Sequence, residues 1–235
     1  MLSKSFSLVK KVFSEEENES IALKHGNPLS ALAILLGIVL PIVVHTWLSL
    51  AHINPEVQTV GDLQTQMIVL AAAQNFAEDG FIHHKLTPRI PGRTGDYGYS
   101  ADRYYTHYPR LPYLIGGLVW LMGGHTFFAH KIVYLILNLL FIAGVFLFLQ
   151  RIFNTPIAIF SSWALVIQQE FYIQSLNTPM NVSDALMIWG AYFLLVALGR
   201  TGKNRRNIFI IVWVLYFFNA TGSFENIFAF QILAL

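Results

Sequence analysis

An all-α polytopic membrane protein is what this sequence predicts, with about five transmembrane helices and amphipathic juxtamembrane helices in a long first outer loop. Three observations predict it. The 235 residues are 55% hydrophobic and only 12% charged, about half the charge of an ordinary soluble domain. The apolar residues come in long unbroken runs. The cations collect in particular breaks between those runs, which is how membrane helices are oriented. With no cysteine, a disulfide framework, a thiolate metal site and a cysteine nucleophile are excluded. The net charge of +2 gives no reason to expect a nucleic-acid partner. No Walker loop, Gly-x-Ser-x-Gly elbow or nucleotide fingerprint occurs.

Residues 1–27 form a charged head with Lys10, Lys11, Glu15, Glu16 and Glu17. The head is no signal peptide, because the first apolar run begins only near Pro28 and is too long for an h-region. Residues 28–235 read as a single transmembrane domain, the N-terminal part of a longer bundle, because the chain stops inside the apolar run 227–235. The first span is 28–50, about the 20 apolar residues that a ~30 Å core needs. Pro41 is placed to kink it, and Trp47 sits near its far end, where interfacial aromatics collect. The outer loop is 51–130. Within it, 62–79 reads as a surface-lying helix with Leu63, Met67, Leu70 and Ala71 on one face. Asp62, Thr65 and Gln66 share another face, and Gly80 closes the helix. Residues 83–110 read as loop, and 111–123 as an apolar helix too short to span. Further spans are 131–149, 156–172 and 185–198, and another begins at Ile208.

Short basic loops stay cytoplasmic. If 111–123 crossed the membrane, Arg151 and the cluster Arg200, Lys203, Arg205, Arg206 would all fall outside. Keeping it on the outer surface brings the head, Arg151 and the cluster inside together. The N-terminus is then cytoplasmic, and the membrane is a bacterial inner membrane or the endoplasmic reticulum. Asp62 and Asp184 share the outer side. So do Asn181-Val-Ser183 and Asn219-Ala-Thr221, which match the N-glycosylation pattern.

An acid at the mouth of a membrane bundle is costly unless hydrated or paired, which makes Asp62 and Asp184 candidates. Each also sits where a helix begins, a position where Asp serves as N-cap. Arg89, Arg93, Arg103 and Arg110 carry the planar, permanent charge that suits phosphate, whether on a substrate or on lipid headgroups. The tyrosines of the same loop suit an interfacial belt as well as a sugar-binding wall. His83, His84 and His107 lack metal-site spacing. Inside the spans, Asn138, Ser161 and Ser162 are the clearest polar residues, too few to trace a path through the bundle.

This arrangement resembles the membrane glycosyltransferases of the GT-C fold, in the branch of protein O-mannosyltransferases and lipid A aminoarabinose transferases. The resemblance covers roughly 28–206. It is carried by Asp62, Gly80, the run Tyr105-Thr-His-Tyr-Pro-Arg-Leu-Pro-Tyr-Leu114, the stretch Leu121-Met-Gly-Gly124, and Asp184 before a later span. The sequence departs where many relatives have a second acid, since Leu63 follows Asp62, and where the second proline of a pair is Arg110. The lysine often seen before that pair is absent, with Arg103 and His107 nearby. The resemblance implies an inverting transferase that moves a sugar from a polyprenyl-phosphate donor at the outer face of the lipid bilayer. It makes Asp62 and Asp184 catalytic, and Arg103, Tyr105, His107 and Arg110 substrate-binding. A divalent cation, Mg²⁺ or Mn²⁺, bridging acid and phosphate suits hard oxygen ligands, and no residue requires it. The alternative is a non-enzymatic transporter component or assembly scaffold.

Overall fold

The computed structural model describes residues 30–51, 63–82, 86, 89–91, 102–104, 111–168, 171 and 181–222. These are helical apart from one two-stranded ribbon and the turns. Two helices are long and apolar enough to cross a membrane, Ala31–Ala51 and Phe127–Ile152.

Helix α1 (Ala31–Ala51) starts one turn after Asn27. The Ser30 hydroxyl caps it by accepting the Ala33 N–H at 3.2 Å. Residues Leu35–Val39 form a π turn, with the Leu40 N–H bonded to the Leu35 carbonyl. Pro41 has no N–H, so the ladder cannot continue regularly and the Leu36 carbonyl is left over. The Trp163 indole takes it, donating at 3.0 Å from a neighbouring helix. The expected kink at Pro41 is thus a π turn locked by a partner.

In the outer segment, α2 (Leu63–Asp79) ends at Gly80, whose φ of 88° is the left-handed cap expected there. The cap turns the Phe81 ring back onto Phe76, stacked at 5.1 Å. Strands β1 (Arg89–Pro91) and β2 (Asp102–Tyr104) pair antiparallel within the stretch read as loop. Three residues each, flanked by Gly and Pro, gave no periodic signal. Next comes α3 (Leu111–Leu121), 11 residues rising only about 16 Å, in agreement with a segment too short to span. It packs along α2, and β1 lies against the same helix. The face of α2 that packs is Ala72, Ala73 and Phe76, not the face of Leu70 and Ala71. Two alanines allow closer approach than leucine does, and Gly117 of α3 receives the Phe76 and Phe81 side chains.

The bundle follows as α4 (Phe127–Ile152), α5 (Thr155–Ile167), α6 (Asn181–Leu198) and α7 (Gly202–Gly222). All four differ in their bounds from those read in the sequence, α7 beginning at Gly202, ahead of Ile208. Helix α4 starts four residues before Lys131, because the Thr126 hydroxyl accepts the Ala129 N–H at 3.3 Å. Helix α5 is shorter than 156–172. Asn154 Oδ1 caps it through the Ile157 N–H at 2.9 Å, and Gln168 leaves it in extended backbone. Its 13 residues rise about 20 Å, less than a ~30 Å core. Helix α6 starts at Asn181, ahead of Ala185.

Glycines set the contacts between these helices. Gly37 of α1 lies under the Phe146 ring of α4 with no room for a Cβ. A Cβ on Gly144 of α4 would stand 2.7 Å from Ile188 of α6, and one on Gly190 of α6 would stand 2.8 Å from the Tyr216 ring of α7. Helices α4 and α6 run in the same direction, since Leu137 shares a groove with Val182 while Gly144 meets Ile188 further along.

Polarity is inverted relative to a protein in water. Leu32, Leu35, Val39, Val43, Trp47 and Leu50 form an exposed stripe along α1, and Ile210, Trp213, Val214 and Phe217 do so on α7. His45, Ser49, Asn138, Ser162 and Asn219 are wholly buried. Water would favour the reverse, whereas an apolar surround favours polar groups turned toward other helices.

Substituting Gly144→Leu or Gly190→Leu overfills a closed contact. Each is expected to lower the thermal midpoint of the detergent-purified chain, reflecting about 1–3 kcal/mol. An unchanged midpoint in both would show that these contacts are not tight.

Candidate functional site

Helices α3, α4, α6 and α7 diverge around an apolar groove of about 350 Å³. Its walls include Leu111, Leu137, Val182, Trp189, Phe193 and Phe218. They are all carbon because the one polar atom at hand is turned away. The Trp189 indole N–H donates to the Leu140 carbonyl at 3.0 Å. Gly144, one turn on, carries no side chain to block that approach.

One end of the groove is set by the first turns of α3 and α6, through Leu111, Val182 and Ala185. Asp184 stands on that turn of α6 with its side chain exposed. Because the helix begins at Asn181, Asp184 lies inside the first turn and is not the N-cap that its position before Ala185 suggested. A carboxylate there is favoured by the positive end of the helix dipole. Beside it, Ser183 is buried, and its hydroxyl finds no partner among the described residues.

The other sequence candidates are distributed as follows. Asp62, Tyr105, His107 and Arg110 lie outside the described residues. In sequence, Arg110 directly precedes Leu111 of the groove, and the first described residue of α2 is Leu63, next to Asp62. Arg103 is in β2, opposite Ile90 of β1. The structure brings β1, the partner of Arg103's strand, against the helix that follows Asp62. Asp184 belongs to a different packing group, α6 with α4 and α7, and α3 bridges the two by touching α2, α4 and α7.

No protein-family model, curated protein or solved structure matches this chain. The chemistry must be argued from the residues themselves.

Several buried polar residues carried no weight in the sequence reading. His45 and Ser49 are wholly buried on α1, with His45 Nε2 lying 3.4 Å from the Ser49 hydroxyl. The His45 ring rests on Phe171 at 4.8 Å, and its Nδ1 has no partner among the described residues. The available signal was two polar residues four apart in an apolar run. His130 and Lys131 are buried on the first turns of α4, where the sequence reading began a span. His130 Nε2–H donates to the Gly124 carbonyl at 3.1 Å. Ser162, by contrast, is satisfied within its own helix, its hydroxyl donating to the Ala158 carbonyl at 3.0 Å. Among the described residues no group of three or more His, Asp or Glu could hold a metal ion.

One expectation fails on burial. Asn219 has no exposed surface, so Asn219-Ala-Thr221 cannot present its amide to a glycosylating enzyme. Expressed in glycosylating membranes, Asn219→Gln is expected to leave the glycosidase-sensitive mobility of the chain unchanged. Loss of a glycosidase-sensitive band in that variant would contradict the burial.

Proposed function

We propose that this chain is a multi-pass membrane protein of about five spans with a cytoplasmic N-terminus, and that it transfers a sugar from a polyprenyl-phosphate donor to an acceptor at the outer face. One observation carries the transferase reading. A groove with wholly apolar walls ends at the first turns of α3 and α6, where the sequence supplies Arg110 beside Leu111, while Asp184 is exposed on the same turn of α6 but off the face that lines the groove. Carbon walls suit a hydrocarbon tail, and a charged mouth suits a phosphate and its sugar. The inverted polarity of α1 and α7 supports the membrane placement.

In this reading Asp62 accepts the proton of an acceptor hydroxyl as that oxygen bonds to the sugar's anomeric carbon. The bond from that carbon to the phosphate oxygen breaks on the opposite side, inverting the centre. The polyprenyl phosphate leaves with the electron pair. Arg103 and Arg110 offset its growing negative charge. Tyr105 and His107 flank the sugar, and Asp184 orients the acceptor from the groove's mouth.

A second reading, a transporter component or scaffold, is favoured by the wholly buried His45, Ser49, Asn138 and Asn219. Polar residues facing the interior of apolar helices are what a path through a bundle requires.

The test is transfer of labelled sugar from polyprenyl-phosphate donors in membranes carrying the wild type, Asp62→Asn or Asp184→Asn. The expected result is wild-type transfer that falls by about 10²–10⁴ in Asp62→Asn at equal protein level. Transfer unchanged in Asp62→Asn would remove the general base. No transfer by the wild type, with a transport activity abolished by His45→Leu, would favour the second reading. Topology is separately testable, since the chain has no native cysteine. An impermeant maleimide applied to intact cells is expected to label Thr126→Cys and not Thr201→Cys, and the opposite pattern would invert the proposed orientation.

A further inference from the structure

Four cations, Arg200, Lys203, Arg205 and Arg206, crowd the turn between α6 and α7, and all four are exposed. The Arg200 N–H closes the end of α6 on the Ala197 carbonyl at 3.1 Å. Gly202, with φ of 62°, then reverses the chain into α7, so that Arg200 comes within a turn of the other three. The Arg205 guanidinium lies 5.5 Å over the Phe209 ring, which holds one cation against the apolar part of the helix.

Nothing described in the chain offsets this charge. The first turn of α7 contains no acid, and cations at the start of a helix face the positive end of its dipole. The described carboxylates are Glu78, Asp79, Asp102 and Asp184, all between the end of α1 and the first turn of α6. The N-terminal head supplies no net negative charge, because Lys4, Lys10, Lys11 and Lys24 match Glu15, Glu16, Glu17 and Glu19. Among the described residues the cluster therefore stands as an exposed patch of uncompensated positive charge. The surroundings indicate a partner: Leu198 just before the turn, and Ile210 and Ile211 between two and three helical turns after it, are exposed apolar side chains. A surface with cations directly above bare hydrocarbon matches a phospholipid, whose phosphate sits above its chains.

We propose that the α6–α7 turn is a binding site for anionic phospholipid headgroups of the cytoplasmic leaflet. Arg200, Arg205 and Arg206 hold the phosphate through paired N–H donors, Lys203 adds a point charge, and the acyl chains run along Leu198, Ile210 and Ile211. The site rests on the membrane placement and orientation proposed above and is independent of any transferase activity.

The test uses the full chain purified in detergent, titrated with phosphatidylglycerol or phosphatidylcholine, with retained lipid counted by native mass spectrometry. The wild type is expected to prefer phosphatidylglycerol. Arg205→Gln/Arg206→Gln is expected to weaken that preference about tenfold or more, since each cation near an anionic headgroup is worth about fivefold. Arg205→Lys/Arg206→Lys keeps the charge that orients the helices and should retain most of the preference. Labelling of Thr201→Cys in each background confirms that orientation has not changed, which separates failure of this site from failure of the membrane reading. Equal retention of the two lipids by the wild type, or an undiminished preference in the glutamine variant, would overturn the proposal. Displacement of phosphatidylglycerol by inorganic polyphosphate at equal phosphate would assign the cluster to a soluble polyanion instead. A large gain in phosphatidylglycerol binding in Glu15→Gln/Glu16→Gln/Glu17→Gln/Glu19→Gln would assign it to the head.

Discussion

The packing of this chain depends on side chains that enter glycine notches on the next helix. Phe146 covers Gly37, Ile188 and Trp189 enter at Gly144, Tyr216 enters at Gly190, and Phe76 with Phe81 enters at Gly117. In each case the absent Cβ is the space the neighbour uses. In the membrane placement proposed above, helices surrounded by hydrocarbon gain nothing from hiding apolar surface, so close van der Waals approach has to hold them together. A notch filled by a ring or branched side chain provides that approach, and it also fixes the relative height of two helices. The indole bond of Trp189 to Leu140 adds direction at the Gly144 contact, and that of Trp163 to Leu36 ties α5 to α1. They satisfy aromatic N–H groups in a place where water would not reach them.

The groove lies where this close packing stops. Helices α4 and α6 are clamped at Gly144, and α6 and α7 at Gly190, but toward the first turn of α6 the walls part around Val182 and Leu186. The short helix α3 fills part of the gap from the side and ties it to α2. A bundle built of local clamps can thus be rigid in its middle and open at one end. At the open end Leu111 lines the groove, and in the sequence it directly follows the basic, aromatic segment that ends at Arg110.

Much of the fold was legible in the sequence, because long apolar runs and their polar breaks are unambiguous. The start of α2 after Asp62, its end at Gly80 and the shortness of α3 were all readable from turn chemistry and length. Helix ends that rely on a single capping side chain were less so, as Thr126 and Asn154 show. The ribbon was invisible because three residues carry no period. The face of α2 that packs on α3 was not legible, because alanine looks weakly apolar in sequence yet is what allows a close approach to Gly117. The site was read less completely. Asp184 was singled out both as a candidate and as a cap, and its place inside the first turn depended on Asn181 being helical. His45 was passed over because a lone histidine in a span gives no sign of which way it faces. Its burial is a property of the neighbours, Ser49 and Phe171, and of the helix phase.

That phase has an origin some distance from His45. A π turn contains about one residue more than an α turn, so everything after Val39 is rotated by about 100° from where an unbroken helix would put it. The side of α1 that carries His45 and Ser49 to the interior is therefore selected at Leu35–Val39, where Pro41 removes one donor and Trp163 takes up the spare carbonyl. Pro41 and Trp163 thus act as the index mark of a dial, setting which face of the later part of α1 meets its neighbours and which is left exposed.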